Sequence, residues 1–331
     1  VSDTYCNACD AASMDPLLHP HESTGTTLLT NVFARERTSL DGTWRAIIDP
    51  YDTGYVTILG THNDRGYQRD FSRRSPADRI EYDFDTSLEL EVPGDWNTQH
   101  PELHFYEGTV WYRRHIDVDQ TEQGRTFLHV GAANHTTRDF LDGDELATHV
   151  GGFGPFSVEV TGRLAPGRHS LVFQVNNRRE PERVPSMRTD WWNFGGITRS
   201  VELVLVPDTF LRDAWLTMAP DGLLVGGATV DGPDAGAPVT VELPDAGLRT
   251  DVVGGRVEFG ADAAAGLERW QPGSPAHHTV RWTCGDDTIV DQVGFRTVET
   301  VGNRILVNGE QTYLRGISIH GEGPSGGRRA H

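Results

Sequence analysis

The chain has 331 residues, a formal net charge of -19 and no lysine, so all 29 of its Lys+Arg residues are arginines. Such an acidic surface lacks the positive charge that releases counterions from nucleic acid or holds a protein on anionic lipid, which argues against both partners. No apolar run approaches the roughly 20 residues of a membrane span. Residues 1–30 also lack the basic and apolar regions of a secretion signal, so we expect a cytoplasmic protein with two or more domains.

The excess of negative charge predicts a salt-loving protein. Repulsion among like charges destabilises the compact state until salt screens it, and at about 1 M salt the Debye length falls to about 3 Å. The alternative is an ordinary acidic protein from a GC-rich genome. A melting midpoint that rises strongly with salt would favour the first interpretation.

Cysteine and histidine spacing does not indicate a metal or redox site. Three cysteines cannot form a disulfide framework, and the C-x-x-C segment at residues 6–9 has no second pair. The pairs His19/His21 and His277/His278 lack a further ligand at metal spacing, and we expect both at the surface. We therefore predict no metal and no cofactor.

The first 206 residues divide into two parts. Residues 1–39 are polar and aperiodic, which predicts a mostly irregular leader. Residues 40–206 carry short β-rich runs separated by Gly, Pro and Asp-Gly dipeptides, such as the hairpin signal Asp142-Gly143. Residues 110–118 alternate apolar and polar side chains, the period of a half-buried strand. We predict a two-sheet sandwich or jelly roll for residues 40–206.

Residues 207–298 continue with small apolar runs and frequent turn dipeptides. About 90 residues with a turn every 8 to 12 positions suggest an immunoglobulin-like sandwich. No ionisable cluster stands out, so we interpret this region as a spacer. The apolar runs are Leu223–Val225, Val239–Leu243, Val252–Phe259 and His278–Thr283.

Residues 299–331 contain a hairpin signal and a candidate site residue. Asn308-Gly309 accepts positive φ at both central turn positions and separates the β-rich runs Arg304–Val307 and Thr312–Ile319. The second run ends at His320 beside several glycines, as the first strand of a (β/α)8 barrel does where it delivers a residue to the active-site mouth. We expect this segment to begin a barrel that the chain does not close.

The run Thr189-Asp190-Trp191-Trp192-Asn193 has side chains suited to a sugar. An aromatic face packs against the C–H face of a pyranose, while carboxylate oxygens accept its hydroxyl protons. Sandwich domains often place binding residues on such loops. The alternative is that the two tryptophans are a buried pair that fixes the loop.

Several segments together resemble glycoside hydrolase family 2, the β-galactosidase and β-glucuronidase family. Their order and spacing, over roughly residues 40–331, are far more specific than any one of them. They are Leu40–Arg45, Val92–Trp96, Tyr106–Arg114, Asp190–Arg199, Gly294–Val298, Leu306–Glu310 and Leu314–His320.

The resemblance implies a sugar-binding jelly roll, an immunoglobulin-like sandwich and the first strand of a catalytic barrel. It implies that Asp190 reaches into the barrel mouth and helps to bind substrate, with Asn193 as a weaker companion. His320 matches a family histidine that hydrogen-bonds the substrate. The implied parent activity is retaining hydrolysis of terminal β-galactosides or β-glucuronides.

Catalysis by a retaining glycosidase requires two carboxylates about 5 to 5.5 Å apart. In the family the acid/base glutamate follows an asparagine, but none of the ten asparagines of this chain precedes glutamate. We therefore predict no catalytic residue and no hydrolysis by this chain alone, and interpret it as the amino-terminal portion of such an enzyme. Two alternatives remain: a non-catalytic carbohydrate-binding protein, and a subunit complemented by a separate barrel chain. An unpaired terminal strand also predicts self-association into a homo-oligomer.

Overall fold

The computed structural model describes residues 22–57, 59, 61, 63, 65–69, 75, 77, 82–120, 122–260 and 264–318. The predicted all-β fold is confirmed: these residues form 22 strands, joined by short 3-10 helices, turns and irregular segments. The 3-10 helices are Val32–Ala34, Phe84–Thr86, Pro101–Leu103 and Pro244–Ala246. None of the described helices is long and apolar enough to cross a membrane.

The first part of the fold contains twelve strands. In chain order they are β1 (Glu36–Ser39), β2 (Gly42–Asp49), β3 (Leu88–Val92), β4 (Thr109–Val118), β5 (Arg125–Val130), β6 (Ala133–Asn134), β7 (Thr136–Leu141), β8 (Asp144–Val150), β9 (Phe156–Glu159), β10 (Gly167–Asn176), β11 (Gly196–Ile197) and β12 (Val201–Val206).

Two antiparallel sheets enclose the main core of this part. One has the order β1-β12-β5-β9 and the other β3-β2-β4-β10-β7-β8, while β6 and β11 form a separate ribbon. Trp44, Trp96, Tyr112 and Phe173 lie between the sheets and are at most 1% exposed. Burying an aromatic side chain of this size stabilises a fold by roughly 1.5–3 kcal/mol. The jelly-roll assignment of this sandwich stays a prediction.

Strand β4 differs from the half-buried strand that its alternation predicts. Thr109–Arg113 are all buried, because the outer face of the six-stranded sheet is covered as well. Trp111 stacks there on Phe140 at 5.8 Å between ring centroids, and Phe140 in turn lies 5.5 Å from the ring of Tyr55. Its indole Nε1 donates to Asp49 Oδ2 at 3.0 Å. A loop distant in sequence covers this face, so local periodicity could not reveal it.

The predicted irregular leader contains ordered contacts in its described part. Residues 36–39 form β1, which pairs with β12, and Thr24 and Thr27 make isolated bridges to Thr148 and Ser157. Leu29 and Val32 lie buried in a cluster with other apolar side chains of the sandwich. The expectation of an irregular leader is therefore wrong for residues 36–39, since edge-strand pairing orders them despite their polar sequence.

The second part is another sandwich, built from seven strands. Its two sheets have the orders β13-β14-β17 and β16-β15-β18-β19 and enclose a core that contains Trp282, Phe295 and Cys284. The immunoglobulin-like assignment stays a prediction. The strands are β13 (Phe210–Met218), β14 (Leu224–Asp231), β15 (Val239–Leu243), β16 (Leu248–Val252), β17 (Arg256–Phe259), β18 (His278–Cys284) and β19 (Asp287–Val293).

In this sandwich the structure divides one of the apolar runs, and it shows that the expected surface position of His278 is wrong. The run Val252–Phe259 is not one strand, because Gly254 and Gly255 adopt φ of 61° and 76° and turn the chain between β16 and β17. His278 is 8% exposed instead of lying at the surface. Its Nε2 lies 2.8 Å from the Glu268 carbonyl oxygen, and its ring stacks on Phe295 at 5.7 Å.

The last described strands form a small hairpin sheet. It consists of β20 (Val298–Val301), β21 (Arg304–Val307) and β22 (Glu310–Gln311). Asn308 and Gly309 have φ of 54° and 81°, as the Asn-Gly signal predicts. The predicted second strand is shorter than expected, because residues 312–318 form no ladder with any described strand.

Candidate functional site: an aromatic cavity around Asp190

The candidate site lies where β4 begins and β10 ends. After Asn176 the chain forms a loop, residues 177–195, that returns to β11. Three asparagine amides fix this loop from below: Asn177 Nδ2 donates to the Asn193 carbonyl oxygen at 2.8 Å, and Asn193 Nδ2 donates to the Asn177 carbonyl oxygen. Asn134 Nδ2 donates to Asn193 Oδ1 at 3.2 Å. All three residues are at most 5% exposed, so the base of the loop is part of the protein interior.

The loop ends at Gly195, a position where a larger residue would not fit. A Cβ on Gly195 would lie 2.0 Å from the Trp96 ring, which is fully buried. The Trp96 amide donates to the Gly195 carbonyl oxygen at 2.9 Å, and the Gly94 amide donates to that of Ile197 at 2.8 Å. The Val-Pro-Gly-Asp-Trp and Gly-Gly-Ile segments are thus brought together as one structural unit.

A cavity of about 190 Å³ opens on this loop. Aromatic, acidic and basic side chains face each other across it, the composition of a site for a polar ligand with an apolar face. Its lining residues are Asn97, His104, Phe105, Glu107, Arg179, Asp190, Trp191, Trp192 and Asn193.

Three rings form one wall of the cavity. Trp192 lies 4.7 Å from His104 and 5.3 Å from Phe105, and His104 lies 4.6 Å from Phe105, measured between ring centroids. Phe105 is 81% exposed, so an aromatic surface faces solvent beside the carboxylate of Asp190. Trp191 is 37% exposed and Trp192 is half-buried, so the alternative of a fully buried tryptophan pair is wrong.

Arg179 holds the backbone on both sides of Asp190. Its Nε donates to Glu107 Oε1 at 2.8 Å, which ties the loop to the start of β4. Its two terminal nitrogens donate to the carbonyl oxygens of Thr189 at 2.7 Å and Trp191 at 2.8 Å. One planar guanidinium therefore sets the position of the peptide units that flank Asp190.

The predicted site residues have different environments. Asp190 is exposed at the cavity. Asn193 lines the cavity but is 5% exposed, and its amide is engaged with Asn134 and Asn177, so its role in the structure is to fix the loop. His320 lies outside the described residues. The prediction that Asp190 and His320 contact substrate stays a prediction.

Sequence reasoning did not find five residues of the cavity, which are Asn97, His104, Phe105, Glu107 and Arg179. Glu107 lies in the Tyr-Glu-Gly segment that resembles the family, but that segment alone gives it no role. His104, Phe105 and Arg179 have no local signal, because they meet Asp190 only through tertiary packing. The exposed phenylalanine in a polar stretch was the one cue available.

Comparisons with known proteins identify the family of this chain. Residues 38–207 match the model of "Glycosyl hydrolases family 2, sugar binding domain". A β-glucuronidase of Paenibacillus borealis is 28% identical over 320 residues, which cover 88% of this chain and 50% of that protein. Human β-glucuronidase is 24% identical, with 94% of this chain and 51% of that protein covered.

Solved structures agree with the sequence match. Lactobacillus rhamnosus β-glucuronidase superposes with a TM-score of 0.71 at 26% identity, covering 90% of this chain and 51% of that one. Faecalibacterium prausnitzii β-glucuronidase gives a TM-score of 0.68 at 25% identity, covering 86% and 50%. The chain spans about half the length of the curated relatives it matches.

The described residues form an all-β architecture of two sandwiches, and the first sandwich matches the family's sugar-binding domain. The family model covers more than half of the chain, and the described structure superposes on family members over most of its length. The chain belongs to glycosyl hydrolase family 2, as the resemblance predicts.

Proposed function

We propose that this chain supplies the sugar-recognition part of a retaining glycoside hydrolase that acts on terminal β-glucuronides. The observation that carries the proposal is the position of Asp190, exposed at the cavity beside the Phe105–Trp192 wall with its flanking carbonyls held by Arg179. β-Galactosides are the second substrate class, since one relative over 73% of this chain is a β-galactosidase.

The chemistry of the cavity suits a pyranose. A carboxylate accepts hydrogen bonds from two neighbouring hydroxyl groups, which fixes the ring orientation. The exposed face of Phe105 or Trp192 packs against the apolar C–H face of the same ring. Both interactions act on the sugar and not on the reacting bond, so this site selects and orients substrate.

Bond cleavage would require the two carboxylates of the retaining mechanism. Because no asparagine precedes glutamate in this sequence, we expect no hydrolysis of a chromogenic β-glucuronide by the 331-residue chain. Hydrolysis of this substrate by the purified chain, together with its loss in the Asp190→Asn variant, would contradict this expectation. Self-association and complementation by a barrel chain stay predictions, as does a cytoplasmic location.

The recognition role can be tested by ligand-observed NMR, which detects millimolar binding. We expect saturation transfer to D-glucuronic acid that exceeds transfer to D-glucose. Asp190→Asn should abolish the transfer, because an amide cannot accept hydrogen bonds with both of its heavy atoms. Asp144→Asn, an exposed carboxylate on β8, is the matched control and should retain it. Equal signals from wild type and Asp190→Asn would contradict the proposal.

A further inference from the structure

A second cavity lies at the opposite end of the first sandwich. Strand β4 begins beside the Asp190 cavity, and its other end, at Ile116 and Val118, lines a cavity of about 310 Å³ between the two sheets. We call it the distal cavity. Its volume is at the lower end of the range typical of small-molecule sites.

The walls of the distal cavity are aliphatic. In the register of β1 with β12, Glu36 pairs with Leu205 and Thr38 with Leu203, so these side chains share one face of the sheet. Leu203 packs against the main core, which shows that this face is the inner one. Ile116 and Val118 of the other sheet face it across the gap. Small residues, including Gly124 and Thr126, line the same gap and leave room between the sheets.

The rim of the distal cavity is acidic. Glu36, Asp119 and Glu122 line it, and all three are exposed. In the part of the chain that the structure describes, none of these carboxylates has a hydrogen bond or an ion pair. The described lining contains no arginine, although arginine pairs with carboxylates at many other places on this sandwich.

Apolar walls and unpaired carboxylates together specify the ligand. Protein interiors leave few voids larger than a water molecule, so an open apolar gap of this size exposes aliphatic surface that a ligand would cover. A carboxylate or phosphate group at the rim would be repelled by three like charges, whereas an ammonium group would be attracted. We propose that the distal cavity binds an alkylammonium compound, with the hydrocarbon chain between the sheets and the ammonium group at the acidic rim.

Octylammonium is a suitable probe, with octanoate and octanol as ligands of the same chain length. Isothermal titration calorimetry at low salt should show saturable binding of octylammonium, at least tenfold weaker binding of octanol and none of octanoate. Binding should weaken as salt rises toward 1 M, because rim charges are screened. Equal affinity for the three compounds, or no binding of octylammonium, would overturn the proposal.

Two variants locate the site. Leu205→Trp fills the gap and should abolish binding, while circular dichroism checks that the variant is folded. Glu36→Gln keeps the shape and should weaken binding about fivefold, the effect of one unit charge about 4 Å away in water. Glu91→Gln removes an exposed carboxylate from β3 on the other sheet and should leave the affinity unchanged. Octylammonium binding that survives both Leu205→Trp and Glu36→Gln would overturn the proposed location.

Discussion

Arg35 and Asp287 form a buried ion pair that joins the leader segment to the second sandwich. The Arg35 Nη1 atom lies 3.2 Å from Asp287 Oδ1, and the side chains are 3% and 7% exposed. Asp287 Oδ2 also accepts from the Leu211 amide at 2.7 Å, and Arg35 donates to the Leu211 carbonyl oxygen. The pair therefore fixes the start of β13, where the chain passes from one sandwich to the other.

Breaking this pair should destabilise the protein strongly. Asp287→Asn leaves the Arg35 guanidinium buried without its counter-charge, and removal of one partner of a buried pair costs about 3–5 kcal/mol. The double variant Arg35→Met/Asp287→Leu should recover much of that loss, since apolar side chains replace both charges. Urea unfolding measures both. The control is Arg249→Gln, because Arg249 is 69% exposed in its pair with Glu242; a similar loss in the control would refute a special role for burial.

Removal of Arg179 should loosen the Asp190 loop. Arg179→Gln loses the bonds to Thr189, Trp191 and Glu107, and with a net value of about 1 kcal/mol per bond the loop amides should exchange with solvent about tenfold faster or more. Arg179→Lys should not restore protection, because a point charge cannot span three acceptors in one plane. Hydrogen exchange by mass spectrometry over residues 186–193 is the measurement.

A matched control for this loop is Arg45→Gln. Arg45 pairs with Glu89 at 3.0 Å, and both side chains are more than a third exposed. The control should leave exchange in residues 186–193 unchanged. Slow exchange in the loop of Arg179→Gln would show that the asparagine amides alone determine its position.

A buried carboxyl group predicts a pH-dependent stability. Asp139 on β7 is 0% exposed, and neither carboxylate oxygen has a hydrogen-bond partner among the described residues. Burial, and then the charge of Glu145, raise the pKa of Asp139 well above its ordinary value. A group with a raised folded-state pKa gives its full contribution below the unfolded pKa, about 3.9 for Asp, and loses it as pH rises through the folded pKa.

Asp139→Asn should therefore gain stability relative to wild type as pH rises. Within the window between the two pKa values the difference should grow by up to about 1.4 kcal/mol per pH unit. Urea titrations at several pH values measure it. Asp144→Asn, an exposed change on the neighbouring strand, should run parallel to wild type. Parallel curves for Asp139→Asn as well would mean that Asp139 titrates normally.

The net charge of -19 predicts a strong salt dependence of stability. Screening of the self-repulsion should raise the melting midpoint between low salt and about 1 M KCl, where the Debye length is about 3 Å. Differential scanning calorimetry in KCl, with sucrose as an uncharged control solute, separates charge screening from preferential exclusion. A midpoint that is flat with KCl would favour the ordinary acidic protein.

The terminal segment predicts self-association. Tyr313, Leu314 and Ile317 are 81%, 67% and 86% exposed. Full-length chain with all three changed to serine, or a chain ending at Thr312, should sediment as a smaller species than wild type. A cut directly after Val298 is less suitable, because Asn308 Nδ2 donates to the Trp270 carbonyl oxygen at 2.9 Å and so attaches the hairpin to the second sandwich. Unchanged sedimentation of both variants would exclude these side chains as the contact.

Local signals determined what could be predicted of the fold. Asn308-Gly309 and Asp142-Gly143 adopt positive φ at all four positions. A tight hairpin turn requires this backbone conformation whatever surrounds it, so the dipeptides alone predict it. The burial of Trp111 on the outer face could not be predicted, since it depends on Tyr55 and Phe84 folding over the sheet from distant positions.

In the candidate site, too, some residues have a local sequence signal and others come together only through tertiary packing. Asp190 could be found from its neighbouring tryptophans and the family resemblance. The contacts of Arg179 with Glu107, and of Trp192 with His104, join positions about 70 to 90 residues apart in sequence. No periodicity or dipeptide signals such contacts, because they arise from the packing of β4 against the end of β10.

Hydrogen bonds among Asn134, Asn177 and Asn193 hold the base of the Asp190 loop. The groups that form these bonds are uncharged, so they neither titrate nor attract counterions. The geometry of this base is consequently independent of acidity and ionic strength over ranges in which the charged exterior changes greatly. A protein whose overall stability varied with the surrounding salt would thus keep the base of this loop unchanged wherever it remained folded.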